Sequence, residues 1–213
     1  GIADQDGPDR ANKEENGRRD VERLMEAGVP VHVSLPQTVR GSVAYLRALA
    51  AMLGVADDAA RALEEAVRDA EATAAREAPR RVFAPIWKDP WMTFDGRTYG
   101  SDLLGLLGGA NVYADRPRRF PLAADLGRAE ARPAGERDTR YPRTSVEEIV
   151  RRAPELVVLP DEPFRFDAGH VEEVRGWGLD ADVVLVSGKD LFWYGVRTLG
   201  ALERLAPVLR RDR

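Results

Sequence analysis

The chain has no cysteine, which excludes disulfides, thiolate metal ligands and a cysteine nucleophile. Histidine is almost absent: His32 and His170 stand alone and far apart, so a histidine-based zinc centre would need carboxylate help. No run approaches the roughly eighteen apolar residues of a membrane-spanning helix. The opening Gly1-Ile2-Ala3-Asp4-Gln5-Asp6-Gly7-Pro8 lacks an apolar signal core. Neither charge sign dominates. With 32 basic and 36 acidic residues the net charge is −4, which argues against a general nucleic-acid binder. There is no Gly-x-Ser-x-Gly elbow, and neither histidine lies near a candidate nucleophile in sequence. What remains is 213 residues, 44% of them hydrophobic, enough for one large domain or two small ones with a core that needs no staples.

Residues 1–20 are almost entirely polar and read as a solvated loop. Val21, Leu24 and Met25 then suit a short amphipathic helix closed by Gly28. The β-branched run Val29-Pro30-Val31-His32-Val33 reads as a strand with Pro30 at its entry or on an edge. Thr38 can cap a helix whose Val39, Val43, Leu46, Leu49 and Leu53 keep a 3.6-residue period up to Gly54. From Asp57 or Asp58 a further helix is predicted to run to Ala78, just before Pro79. Its stripe of Ala60, Leu63, Val67, Ala70 and Ala74 is narrow, as in a helix lying across a surface. At about 1.5 Å per residue it would span roughly 30 Å and could bridge two bodies.

Beyond Pro79 strands and helices alternate. Residues 82–86 read as a strand, Thr98 to Leu107 as a helix, and 111–113 as a short strand. Residues 116–140, rich in Arg, Pro, Ala and Gly, form a long loop or insertion. Ser145-Val146-Glu147-Glu148 has the pattern of a capping box for a helix ending at Pro154. The continuous apolar runs Leu156–Leu159 and Val183–Val186 suit strands buried on both faces of a parallel sheet. A helix over 170–177 lies between them, and a final helix covers 194–209. This is a doubly wound α/β lobe. The first half offers one convincing strand and about two helices, too little for a sheet of its own, so more chain before Gly1 or further strands are expected.

Two kinds of site residue stand out. Asp161 and Glu162 follow a strand, and Asp180 and Asp182 lie at the edge of another, where α/β proteins place their sites; loop solvation and helix capping are the favoured reading of them. The glycine-rich stretch 105–111 follows a helix instead of opening one, and so reads as a helix stop. Aromatic residues carry more. Trp87, Trp91, Phe94 and Tyr99 follow the first strand of this lobe, Phe164 and Phe166 the strand at 156–159, and Phe192, Trp193 and Tyr194 the strand at 183–186. Three such loops should converge on one sheet edge, where a large flat ligand would account for them. Packing onto helices beneath the loops is the alternative. Lys88, Arg97, Arg165 and Lys189 lie in the same loops and could answer ligand carboxylates, phosphates or amides.

Several segments, in one order, resemble the class III periplasmic binding proteins of the cobalamin and ferric-siderophore type, the helical-backbone metal receptors. They are Ala11-Asn12-Lys13-Glu14-Glu15-Asn16 with Asp20-Val21-Glu22 and Gly28-Val29-Pro30-Val31, and Val82-Phe83-Ala84-Pro85-Ile86-Trp87 with Pro90-Trp91-Met92. Gly108-Gly109-Ala110-Asn111-Val112, Tyr141-Pro142 before Ser145, and Pro154-Glu155-Leu156-Val157-Val158-Leu159-Pro160 continue the series. The resemblance implies a two-lobe α/β fold whose doubly wound lobes are joined by one long rigid helix, with the first lobe incomplete here. Its division would be a first-lobe remnant at 1–56, the inter-lobe helix at 57–79, and a second lobe at 80–213 that carries 116–140 as an insertion.

The resemblance further implies the substrate-binding component of an ABC importer, without catalysis. It would capture a metal chelate, cobalamin or a related corrinoid first, a ferric siderophore or haem as the alternative. The metal would arrive within the ligand, so no cofactor is expected. Trp87 and Trp91 would face the ligand from the second lobe and Trp193 from another loop; Phe94, Tyr99, Phe164, Phe166 and Tyr194 complete the expected ligand-binding set. Members dock on their permease through one exposed acidic residue per lobe. The first-lobe position falls near Asn16-Gly17-Arg18-Arg19, which is basic here, while Glu172 or Glu173 could serve in the second. A monomer on the outer side of the membrane is expected if a signal precedes Gly1, and a cytoplasmic protein if none does. A cytosolic sensor, or an enzyme on this fold using Asp161, Glu162 or His170, is the competing reading.

Overall fold

The computed structural model describes residues 18–76 and 78–210. The expectations for 1–17, including the motif at 11–16 and the basic docking position at its end, lie outside or at the border of the described residues. The chain enters through α1 (Arg18–Glu26), α2 (Val39–Leu53) and α3 (Asp58–Ala74). It then builds a parallel sheet from β1 (Arg80–Phe83), β3 (Gly109–Asn111), β5 (Leu156–Pro160) and β6 (Asp182–Val186), in the spatial order β3-β1-β5-β6. A two-stranded antiparallel ribbon of β2 (Trp91–Met92) and β4 (Arg143–Thr144) stands beside it. The remaining helices are α4 (Tyr99–Leu106), α5 (Leu122–Asp125), α6 (Val146–Arg151), α7 (Ala168–Arg175), α8 (Gly188–Phe192) and α9 (Arg197–Leu209).

Strand alternation explains the layering. Val82, Ala84, Leu156 and Val158 face one side and share a core with Val39 and Val43 of α2, Leu63 and Val67 of α3, Leu103 and Leu104 of α4, and Leu202 and Leu205 of α9. Phe83, Val157 and Leu159 face the other side, with Ile149 of α6 and Val171 and Val174 of α7. All five residues of β5 are buried, as its continuous apolar run requires. The lobe is doubly wound, as the strand–helix alternation implies.

Caps behave as their chemistry directs. Thr38 Oγ1 accepts from the Gly41 amide at 2.9 Å, and Gly54 closes α2 in the left-handed region at φ 65°. Ser145 accepts from Glu148 N at 3.3 Å, but only half of the expected capping box forms. The Glu148 carboxylate turns away to Arg116 Nε at 3.3 Å, Arg152 Nε at 3.2 Å and the Thr144 hydroxyl at 3.2 Å, where two guanidiniums outbid one backbone amide.

Several expectations need correction. Residues 29–33 form no strand: no neighbouring strand exists among the described residues to share a ladder, and Val29 and Val33 are exposed. The helix begun at Asp58 ends at Ala74, four residues early; Thr73 Oγ1 bonds back to Asp69 O at 2.8 Å in its last turn. At about 26 Å it still crosses the lobe, and its buried face packs on α2, α4 and α9. The first strand occupies 80–83 instead of 82–86, because Pro85 has no amide to give a central ladder. The short strand is at 109–111 instead of 111–113. The helix before β6 begins at Ala168, earlier than 170, because Asp167 caps it. β6 is an edge strand with Leu185 exposed, so it is not buried on both faces. The final helix begins at Arg197, with α8 ahead of it as a separate element.

Residues 116–140 fold around a buried ion pair. Arg116 Nη1 meets Asp125 Oδ1 at 2.8 Å, both side chains almost wholly buried. Asp125 also accepts from the Arg119 amide at 2.9 Å and the Arg143 amide at 2.7 Å. Four donor groups around one carboxylate and its own carbonyl are what keep a buried charge from being ruinous.

Candidate ligand-binding edge

In a parallel sheet every strand ends on the same edge, and here that edge carries the aromatic loops. Beyond β1 the chain turns back at Ile86 and Trp87: the Ile86 amide donates to Met92 O at 2.8 Å, and Trp87 pairs with Met92. This presents Trp87 to Phe164, from the loop after β5, edge to face at 5.5 Å. Beneath them Phe166 stacks on Trp91 at 5.7 Å with an interplanar angle of 7°, and Trp177 meets Trp91 edge-on at 5.0 Å. Phe164 and Phe166 lie 4.7 Å apart.

A second group forms after β6. Tyr194 touches Tyr99 at 6.2 Å and Tyr45 of α2 at 5.4 Å, and Tyr45 stacks on His32 at 6.0 Å. Phe192 lies edge-on to Phe94 at 5.7 Å. The Tyr99 hydroxyl shares a buried hydrogen bond of 2.8 Å with Thr198 Oγ1, and burial pushes its pKa up to about 12. The Gly195 amide donates to Ser42 Oγ at 2.7 Å, so α2 is tied to this loop by a buried hydrogen bond as well as by a ring contact.

The eight expected rings divide by exposure. Trp91 at 7%, Phe94 at 1%, Tyr99 at 7% and Phe166 at 3% are core side chains lying under the loops. Trp87, Phe164 and Tyr194 are half-buried and Trp193 is 46% exposed, so these four present ring surface at the edge. Lys189 Nζ sits 5.1 Å from the Trp193 ring, while Lys88 lies 5.7 Å from Trp91. Arg97 is held by Asp95 and by Thr139 Oγ1, and Arg165 is exposed.

The carboxylates are engaged in structure. Asp161 Oδ1 accepts from the Gly188 amide at 2.7 Å, joining the loop after β5 to the start of α8. The approach is close: a Cβ on Gly188 would stand 2.4 Å from Glu162 O. Asp182 pairs with Arg80. His170 Nδ1 lies 2.8 Å from Asp167 Oδ1 and 3.1 Å from the Asp167 amide, completing a capping box on α7. That hydrogen bond holds the Asp167 carboxyl below its ordinary range. The described residues contain no group of three His, Cys, Asp or Glu placed to hold a metal ion. They also contain no helix long and apolar enough to cross a membrane.

No family model matches the chain. It is 26% identical over 182 residues to vitamin B12-binding proteins of Yersinia pestis (strain Pestoides F) and of Yersinia pseudotuberculosis serotype O:1b (strain IP 31758). Each match covers 84% of this chain and 56% of the relative, so the chain spans about half the length of the curated relatives it matches. Among solved structures it is similar to the periplasmic vitamin B12 binding protein of Vibrio cholerae, with a TM-score of 0.67 at 21% identity over 91% of this chain and 70% of that one. It is also similar to the periplasmic heme-binding protein RhuT of Roseiflexus sp. RS-1, with a TM-score of 0.71 at 18% identity, covering 93% and 73%. The fold is that of the class III periplasmic binding proteins.

Within the class III fold, the two acids expected to dock on a permease stand side by side on α7. Glu172 pairs with Arg175 at 2.6 Å and Glu173 with Lys88 Nζ at 2.5 Å, and both are exposed. Tyr45, His32 and Trp177 were not among the expected site residues. Tyr45 sits inside a regular helix pattern and His32 inside a run that reads as a strand, so only their tertiary neighbours reveal them.

Proposed function

We propose that this chain is part of the substrate-binding component of an ABC importer, and that it captures a corrinoid against the aromatic edge of its class III lobe. The observation that carries this reading is that Trp87 and Phe164 meet beyond β1 and β5 while Trp193 and Tyr194 follow the neighbouring β6, all four with ring surface left uncovered. Flat apolar faces of this kind bind a large macrocycle by stacking and by removing it from water. The sequence likeness to vitamin B12-binding proteins supports a corrinoid ahead of haem, because the likeness to heme-binding structures is one of fold.

In this reading the protein does no covalent chemistry. Trp87 and Phe164 form one wall and Trp193 with Tyr194 another, while Lys189 beside Trp193 is free to turn its ammonium toward ligand amides or phosphate. The chelated metal travels with the ligand, and the protein supplies shape, stacking and exclusion of water. Glu172 and Glu173 on α7 are the acidic surface offered to the permease, on the outer side of the membrane. Isothermal titration of the full-length protein with cyanocobalamin, with haem and a ferric siderophore as comparators, tests the proposal. Saturable one-to-one heat with cyanocobalamin is expected. Binding of a comparator alone would change the ligand and keep the receptor; silence with all three would overturn the reading.

A further inference from the structure

Residues 116–140 carry seven arginines against four acids, in a chain whose net charge is −4. Two of the arginines serve the fold: Arg116 is buried against Asp125, and Arg140, itself buried, pairs with the exposed Asp138. Arg119, Arg128, Arg132 and Arg137 are different. All four are exposed, and none is in an ion pair with another described residue. Their backbone is nonetheless fixed. The Arg132 amide donates to Phe120 O at 2.7 Å, the Arg119 amide to Asp125 Oδ1 at 2.9 Å, and the Arg128 amide to Ala123 O at 2.7 Å. The Arg137 amide donates to Ala134 O at 3.3 Å, and its guanidinium to the carbonyls of Ala134 at 2.9 Å and Pro133 at 3.2 Å. The guanidiniums of Arg118 and Arg137 lie 4.3 Å and 4.0 Å from the ring centre of buried Phe120, which pairs in turn with Arg132. The fold thus gathers like charges around one ring, with Glu130, Glu136 and Asp138 the exposed acids of the segment and Asp138 already paired with Arg140.

What the patch lacks decides its partner. A protein–protein contact is anchored by large apolar or aromatic side chains at its centre. Here Phe120 is covered, and Leu122, 48% exposed, is the large apolar side chain of the segment most open to solvent, with Leu126 partly buried. Guanidinium forks with little apolar area match a surface of phosphates. The segment also follows β3 at the carboxyl edge of the sheet and is tied to the aromatic loop by the bond from the Asp95 amide to Arg140 O at 2.8 Å. It therefore stands beside the proposed ligand site, on the edge that must face a membrane for delivery; in that one respect the argument rests on the proposed function.

We propose that residues 116–140 form a membrane-contacting face that binds anionic phospholipid headgroups through Arg119, Arg128, Arg132 and Arg137, with Leu122 entering the headgroup layer. The test is co-sedimentation of the full chain with vesicles of phosphatidylcholine alone and of phosphatidylcholine with about 30% phosphatidylglycerol. A protein of net negative charge is repelled by the second kind unless a local patch binds it. Binding that requires phosphatidylglycerol at about 50 mM salt and is lost at about 500 mM is expected. The triple variant R119E/R128E/R132E should bind at least about a hundredfold more weakly, at roughly fivefold per lost cation. Should that variant fail to fold, R119Q/R128Q/R132Q removes the charge without adding acid. Equal binding to both vesicles, or full retention by a folded triple variant, overturns the proposal and leaves the patch to an acidic protein surface. The assay contains no corrinoid, so its failure and a failed cyanocobalamin titration are separate results.

Discussion

Two regions at the same sheet edge are held in place by opposite means. The loops after β1, β5 and β6 are fixed by ring against ring, whereas residues 116–140 are fixed by Arg116 and Asp125 in a buried, multiply hydrogen-bonded contact. Ring packing is only weakly directional and spreads its contribution over many atoms. A buried ion pair is directional, and losing one partner strands the other charge out of water. The aromatic region should therefore tolerate loss of an outer ring with a change in binding only. The insertion should fail at a single atom group.

Asp125→Ala is expected to show the largest effect, about 3–5 kcal/mol of stability, because buried Arg116 keeps only Glu148 as a counter-charge and the Arg119 and Arg143 amides lose their acceptor. Urea unfolding followed by far-UV circular dichroism measures it, and a loss below about 1 kcal/mol would show that the insertion is not held this way. Trp91→Ala should cost about 3–5 kcal/mol by the same measurement, because it empties a packed site under the loops. If Trp91→Ala instead left stability intact and abolished ligand binding, the division between core rings and edge rings would be wrong.

Alkali separates the regions from another direction. The folded pKa of Tyr99, raised by burial to about 12, lies above its unfolded value of 10.0. Its contribution is therefore complete below pH 10 and is lost as pH rises from 10 through 12, on the order of 2–3 kcal/mol for two pK units. Tyr113, beside the insertion, is raised by burial in the same direction. Tyr99→Phe should flatten part of the alkaline fall in stability measured by urea unfolding between pH 9 and 12; an unchanged slope would remove Tyr99 from the account. Gly188→Ala, which sets a methyl against the Glu162 backbone, should cost about 1–3 kcal/mol. Trp87→Ala is expected to lower affinity for cyanocobalamin by about 1–3 kcal/mol and to move stability little. A loss of stability without a loss of affinity would reverse its role.

The comparison also shows which features a sequence announces. The loops at 84–99, 164–166 and 192–194 were legible because aromatic side chains are conspicuous at strand ends, and parallel strands must finish on one edge. Which rings stay open was not legible. Trp87 and Trp91 sit four residues apart with similar chemistry, and only the turn at 86–92 with its bonds to Met92 sends one under the other. The insertion was visible as a compositional oddity. Its centre was hidden, because Arg116, Asp125 and Arg143 are ordinary surface residue types until three distant segments close around them.

Sequence by itself determined the doubly wound lobe, the caps at Thr38 and Ser145, the burial of β5 and the identity of the aromatic loops. These follow from period, local hydrogen bonding and side-chain size, which act over a few residues. Tertiary structure alone decided that 29–33 is no strand and that β6 is an edge. It also decided that Tyr45 and His32 join the ring group at Tyr194. Each of those depends on what stands opposite a residue across the fold, and a strand, an ion pair or a ring contact exists only when its partner arrives.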